Sequence, residues 1–583
     1  MFKYTSGNTV NRLRGTGTDL DAIANKELTP YGVGGYCGKD DETTTTVDES
    51  KNVTWEIPFV KDNSGNTVLG STLAINGTGA MADYTGYSTS GPDNFAPWIV
   101  PDHSHSFYSS GGLKYPGVTA VTIGSGVTTI GDDAFHNCDG LTDVTIGTDV
   151  TTLGADALQS CLDLKNVTFA EGSQLTTIDN YAFGNCISLT AIDIPVGVTT
   201  IGEGAFSDCS GLTGITIPDG VTAIDMNTFM HCSNLSDVTI GSGVTTIGAN
   251  TFEKCTSLTA ITIPANVTTI YEYAFVTCPS LETVTIERYD SNTATNGGNP
   301  ITTIDSSTFV ECDALKLILV PSEDAYDAYS KADDGWTGDI NDDGTGKTYK
   351  SMLAPSKIEL TKSASGWSTY CHNYPVSYSL SDGNSGNDAP KAYTVSGLSS
   401  DGKSVAITAA TDNHVAPATP LLLGYKAPAN NNDLLTLTAV PATATTPATS
   451  VIVDNGGTDV VFYGNTGNTA LDATALTGGT TTYIYLFGNT EGRQSYVLSQ
   501  GKFIPVISTD GGIAPHRCWL NVKGTAAARE LSIGDGETTG IAAMEDAGSK
   551  VSDAWYSLDG RKFNAVPTRQ GVYVNGGRKV VIK

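Results

Sequence analysis

Eight cysteines stand at Cys138, Cys161, Cys186, Cys209, Cys232, Cys255, Cys278 and Cys312, so the successive gaps are 23, 25, 23, 23, 23, 23 and 34 residues. A period in the low twenties leaves few folds open. Each unit is too short to close a core of its own and must stack on its neighbours as a solenoid. The thiol is only one member of the unit. Three positions before each Cys stand Phe135, Leu158, Phe183, Phe206, Phe229, Phe252, Phe275 and Phe309, and three after it Leu141, Leu164, Leu189, Leu212, Leu235, Leu258, Leu281 and Leu315.

Within a unit the periodicity changes twice. From Leu235, Val238 and Ile240 alternate with Asp237 and Thr239, which predicts a short strand with the apolar pair inward. The pairs Val121/Ile123, Val144/Ile146, Ile215/Ile217, Ile261/Ile263 and Val284/Ile286 repeat this. Gly or Pro then permits a reversal, as at Gly241 and Pro264, and a second inward pair follows, such as Val244 and Ile247. The last piece, around Asp133-Ala134-Phe135, reads as a short helical turn that puts Phe and Cys in the core. Nine strands from Val121 to Val320 at about 4.8 Å spacing predict an array on the order of 40 Å long. Redox chemistry or metal chelation by the Cys column is the rival of a structural role. Thiols facing inward at one position per coil behave as small hydrophobes, and no CxxC pair occurs among the 11 cysteines.

Charge bears on partners. With 62 acidic against 32 basic residues and a net charge of -30, nucleic acid and anionic lipid are excluded as favoured partners. No run approaches the roughly 18 apolar residues that span a bilayer. The opening Met1 to Gly7 has no apolar stretch, so a signal peptide is expected to be missing from this sequence. Abundant Gly, Thr and Ser with only 16% charged residues suit a soluble, β-rich extracellular protein.

The unit Leu-Thr-x-Val-Thr-Ile-Pro-x-Gly-Val-Thr-Thr-Ile-Gly-x-x-Ala-Phe-x-x-Cys closely resembles the leucine-rich repeat of BspA-like bacterial surface proteins over roughly residues 116 to 335. The resemblance implies a mainly β chain: a right-handed leucine-rich-repeat solenoid with short parallel strands and short helices, flanked by an N-terminal β cap and C-terminal all-β domains. It implies a secreted or cell-surface protein that adheres to host matrix or bacterial surface proteins and is not an enzyme. Cys37-Gly38, Trp55, Leu73 to Tyr84 and Pro97-Trp98 look like the leader that precedes such repeats. Val320 to Tyr329 with Trp336 looks like the last coil, its amphipathic helix supplying Tyr326 and Tyr329.

Gly366 to Cys371, Pro420 to Tyr425 and Ala514 to Leu520 look like β modules that follow repeats in Bacteroidetes surface proteins. Ala554 to Arg561, Gly571 to Val574 and Lys579 to Lys583 resemble sorting or anchoring tails of that phylum, though the stretch is shorter than a full sorting domain. The expected domains are 1-115, a β leader and cap; 116-335, the repeats; 336-355, an acidic linker; 356-533, one or two all-β domains; and 534-583, the β tail.

Sites of chemistry are few. His103 and His105 lack a third ligand nearby. Asp339 to Gly344 begins like a calcium loop, but Lys350 stands where the closing Glu belongs, which favours an acidic turn. No nucleophile elbow, phosphate loop, dinucleotide fingerprint or His-Glu-x-x-His occurs, so no catalytic residue, metal or cofactor is assigned. The outward strand positions Thr122, Thr145, Thr168, Asp193, Thr216, Thr239, Thr262 and Thr285 should line up as one candidate ligand-binding face. Cross-strand Thr pairs also stabilise a solvated sheet without any ligand. Alternatives remain: a glycan-binding accessory using Trp367, Trp519 or tyrosines of the β domains, an enzyme hidden in the β region, and an ice-binding array, which Asp193 fits poorly.

Overall fold

The computed structural model describes residues 53–84 with short breaks, 117–288, and 301–444 with short breaks. Elsewhere it describes strand backbones only, from Lys3–Thr5 to Arg578–Ile582. The chain forms two compact units, residues 1–315 with 328–350, and residues 316–327 with 351–583.

In the first unit each coil contributes three stretches of backbone, and each stretch pairs with its counterpart on the next coil. The outward strands Ala120–Ile123, Asp143–Ile146 and Asn166–Phe169 are parallel and in register, Val121 against Val144 and Val144 against Val167. Gly214–Thr216 pairs with Asp237–Thr239, and Ala260–Ile263 with Thr283–Ile286. The strand Thr72–Asn76 joins this ladder parallel to Ala120–Ile123, and Thr54–Lys61 runs antiparallel to it. Trp55, Leu73 and Ile75 are buried there. The second ladder is made of two-residue strands such as Thr152–Leu153, Thr177–Ile178 and Thr200–Ile201.

The third stretch differs from the expected short helix. Around Phe135 it is a chain of tight turns, because Asp133 (φ 54°) and Asn137 (φ 57°) are left-handed, which no α-helix tolerates. Alternate N–H groups close the turns, as Cys138 N–H does on Phe135 O at 3.2 Å. The others point along the array: Asp133, Phe135 and Asn137 donate to the carbonyls of Ala155, Ala157 and Gln159 at 2.7–2.9 Å. The same direction holds in later coils, for example Phe183 to Ala205 O and Phe229 to Thr251 O. At the last coil Tyr349 Oη accepts the Phe309 N–H at 3.0 Å and donates to Ser306 O at 2.7 Å, while the Glu311 N–H reaches Ile340 O.

The core between these ladders is a column of rings and a column of thiols. Phe183, Phe206, Phe229, Phe252, Phe275 and Phe309 stack at 5.2–5.6 Å with planes within 18°, and Tyr349 ends the column edge-on at 5.3 Å. From Cys161 to Cys312 each thiol donates to the carbonyl of the preceding coil's Phe or Leu, as Cys209 does to Phe183 O at 3.0 Å and Cys232 to Phe206 O at 3.1 Å. The cysteines are therefore buried donors as well as small apolar groups.

The second unit is mainly antiparallel, with Leu317–Val320 parallel to Leu353–Pro355 and Ser404–Ala409 parallel to Leu531–Gly534. Lys357–Thr361, Leu434–Val440 and Ser377–Ser381 form one sheet. Trp367–Tyr370, Leu421–Gly424, Lys391–Leu398 and Ser404–Ala409 follow each other in another. Leu317, Ile358, Tyr370, Tyr378, Leu421, Leu435 and Leu437 share a core. Polar groups in it are paired: Tyr370 and Tyr374 hydroxyls donate to Glu323 Oε1 at 3.2 and 3.3 Å. His372, fully buried, accepts the Tyr374 N–H on Nδ1, so its Nε2 carries the proton and donates to Val415 O at 3.1 Å.

Candidate functional site

The outward face of the solenoid is built from every second residue of each strand, so its side chains repeat at the ladder spacing. Thr122, Thr145 and Thr168 are exposed and in register. So are Thr216 with Thr239, and exposed Thr262 with half-exposed Thr285. Asp193 is exposed too, but Ile192 to Ile194 form no strand, so the row is registered in three groups. Two residues earlier on each coil stand Ala120, Asp143, Asn166, Ala191, Gly214, Asp237, Ala260 and Thr283. The face is therefore shallow, made of small side chains, with Asp143, Asp193 and Asp237 as its charges. Asp143 accepts Thr142 Oγ1 at 2.6 Å and Asn166 Nδ2 at 2.8 Å, which holds its carboxyl below the usual range.

Along the sides of the face, Thr hydroxyls bond to the preceding coil. Thr142 donates to Thr119 O, Thr213 to Thr190 O and Thr245 to Thr222 O at 3.0–3.2 Å. These threonines are occupied with coil-to-coil bonding and the outward row is not, which separates the two sets physically.

No group of three or more His, Cys, Asp or Glu among the described residues is arranged to hold a metal ion. The eight repeat cysteines and Cys371 are buried, and none of them forms a disulfide. Burial pushes the Cys161 thiol up to about 12, and Cys186 and Cys232 well above 9.0, so these thiols stay protonated and are poor nucleophiles. Asp339 accepts the Asn341 N–H at 2.7 Å in a local turn, while residues 342–346 lie outside the described residues. So do His103, His105, residues 289–300 and the Trp519 side chain. Trp367 is half-buried and packs on Tyr393 at 5.5 Å. No helix among the described residues is long and apolar enough to cross a membrane.

Acids crowd the turn edge of the first coils. Asp156 is pushed up to about 6, by burial first and then by Asp133, with Asp132 and Asp179 adding and His136 opposing. A folded value above the unfolded one means the proton binds more tightly in the fold. That contribution to stability is complete below about pH 4 and lost as pH rises through about 6. Asp156→Asn, uncharged throughout, is expected to raise the melting temperature above the parent's at about pH 8, with the gain shrinking toward about pH 4. Calorimetry across that range checks it, and a pH-independent gain would assign the effect to backbone preference alone.

Residues 105–235, 176–296 and 223–327 match the model of the BspA type leucine rich repeat region, in six copies. Among solved structures, the chain is similar to a leucine-rich repeat protein from Bacteroides ovatus, with 21% identity over 46% of this chain and 69% of that one, TM-score 0.27. It is also similar to a leucine rich cell surface protein from Faecalibacterium prausnitzii, with 22% identity over 49% and 98%, TM-score 0.18. A third is the pneumococcal vaccine antigen PcpA, with 14% identity over 51% and 96%, TM-score 0.20. No match among curated proteins is found.

Proposed function

Since residues 105–327 belong to the BspA-type leucine-rich repeat family, we propose that this chain is a non-enzymatic binding protein, secreted or held at the cell surface. It recognises a host matrix or bacterial surface protein through the outward Thr face. The observation that carries the reading is the registered row Thr122–Thr145–Thr168 with Thr216–Thr239, exposed side chains that make no coil-to-coil bond of their own on a rigid sheet. Rigid, evenly spaced, small side chains suit a flat macromolecular partner better than a small molecule, which needs a concave site.

The test is a binding panel of matrix and bacterial surface proteins against the whole chain. Thr145→Lys, Thr216→Lys and Thr239→Lys together are expected to weaken binding by about a hundredfold, since three long cations would stand on the contact surface. Equal binding by parent and triple variant, with both folded by circular dichroism, would remove this face from consideration. Glycan binding by the β domains has a weaker footing, because Trp367 is turned into its own unit against Tyr393.

A further inference from the structure

On the turn edge, the residue two before the column Phe, or before Leu158 in one coil, is left-handed in seven coils: Asp133, Asp156, Tyr181, Gly204, Asn227, Asn250 and Tyr273. Gly, Asn and Asp adopt this backbone readily, whereas bulky side chains rarely do. The two tyrosines therefore need a compensating contact. Tyr181 has one, because its ring lies across the next coil, where a Cβ on Gly204 would sit 2.2 Å from it. Its hydroxyl also donates to Glu203 at 2.9 Å.

Tyr273 has no equivalent. Its backbone N–H reaches Ser307 Oγ at 3.3 Å, but the residue is 44% exposed. Tyr271, 48% exposed, stands beside it where other coils carry Gly131, Gly154, Gly202 or Gly248. Two coils back Met226 is 42% exposed. The Asn227 and Asn250 N–H groups bond to Ala249 O and Glu272 O, so the three coils are consecutive. Met226 and the tyrosines are thus two ladder spacings apart, about 10 Å, with the smaller Gly248, Ala249 and Asn250 between them. The result is a shallow trough one coil wide, with Met226 on one side and the two tyrosines on the other.

Its rim is acidic. Asp225 and Glu272 are exposed, and Glu203 is half-buried beside them. Burial and the Glu203 charge raise the Asp225 carboxyl, a sign of like charges held together. Lys254, on the middle coil, is already paired with Glu253 at 3.2 Å.

We propose that this trough docks a basic protein segment, an arginine side chain lying on the Tyr271 or Tyr273 ring with Glu272 and Asp225 as its counter-charges. A planar guanidinium stacks on an aromatic face and pairs with a carboxylate at once, which an ammonium does less well. The field of a chain with net charge -30 draws such a segment in and repels acidic ones. This rests on the reading of the chain as a binding protein and adds a surface separate from the Thr face.

The experiment is a fluorescence-anisotropy titration of the whole chain with a short, end-capped, arginine-rich peptide and its citrulline counterpart, at physiological ionic strength. The arginine peptide is expected to bind at least about tenfold more tightly than the citrulline one, and Tyr271→Ala with Tyr273→Asn to weaken it about tenfold. Asn suits the left-handed position, so the variant should melt no lower than the parent. Asp143→Asn with Asp237→Asn, which removes two charges from the Thr face, should leave the affinity unchanged within about twofold. Parent-like binding by the tyrosine variant, equal binding of the two peptides, or no binding of either overturns the proposal. Neutral oligosaccharides displacing the peptide by way of the tyrosines would do the same, and would make the trough a sugar site. Failure here while the surface-protein panel still yields a ligand defeats only the trough; failure of both defeats the binding reading.

Discussion

Phe229→Ala is expected to destabilise the solenoid by about 3–5 kcal/mol, the range for removing a fully buried aromatic ring from a packed core. The ring is fully buried and sits between Phe206 at 5.6 Å and Phe252 at 5.5 Å, so its loss empties one position of a continuous column. Neighbouring coils cannot close the gap, because their separation is fixed by ladder hydrogen bonds on three sides. Phe229→Leu should cost less, about 1–2 kcal/mol, since the branched apolar side chain refills most of the space the ring leaves. The chain already carries Leu158 at this position in one coil. Urea unfolding followed by far-ultraviolet circular dichroism separates the two variants. A loss below about 1 kcal/mol for the Ala variant would mean that the strand ladders alone hold the coils.

The second large effect is expected in the other unit. Lys362 Nζ lies 2.7 Å from Asp382 Oδ2, with side-chain exposures of 5% and 0%. Asp382 itself is buried at the carboxylate and open at the backbone. Burial alone would raise its pKa, but the Lys362 ammonium and the Asn384 N–H and amide outweigh it and hold the carboxyl below its usual range. Lys362→Met should therefore cost about 1–3 kcal/mol, because it removes the charged partner of a carboxylate that is left with the Asn384 donors alone. The depressed value also sets the pH dependence: the parent's advantage is present above about pH 4 and lost as pH falls through the folded value. Lys362→Met with Asp382→Leu should recover most of the loss, since neither charge then needs solvating. Chemical denaturation of the three proteins at about pH 7 tests this, and a double variant no better than Lys362→Met would show that the site depends on Lys362 packing against Tyr425.

Much of the solenoid is legible in the sequence because two strict periods coincide there. Val144 and Ile146 alternate with Thr145, and the whole set returns after a fixed number of residues, so inward and outward positions follow without coordinates. The third stretch is less legible. Phe135 and Cys138 are three apart, a helical spacing, but the recurrent Asp, Asn or Gly two before Phe and the Asn or Asp before several cysteines mark left-handed turns. Sequence order alone does not show that a thiol donates to the previous coil's carbonyl, since the two residues are 26 apart and meet only after stacking. The exposed tyrosines left a signal that periodicity masks. Tyr271 occupies a position held by Gly in four other coils, and only the loss of that small residue flags the trough. In the second unit, the pairing of Glu323 with Tyr370 and Tyr374 spans 47 and 51 residues without any repeat to announce it.

The turn ladder gives the array a polarity. The N–H groups that bridge its coils all point one way, so at this ladder one end offers carbonyls and the other donors. The Tyr84 N–H meets Asp132 O at the first, and Tyr349 Oη and Ile340 O receive Phe309 and Glu311 at the second. Any whole coil has the same pair of faces, so duplicating or deleting a 23-residue segment such as 210–232 leaves both ends correctly met. A fractional insertion would leave neither. Copy number is thus the variable by which such a chain can change its reach without re-evolving its ends.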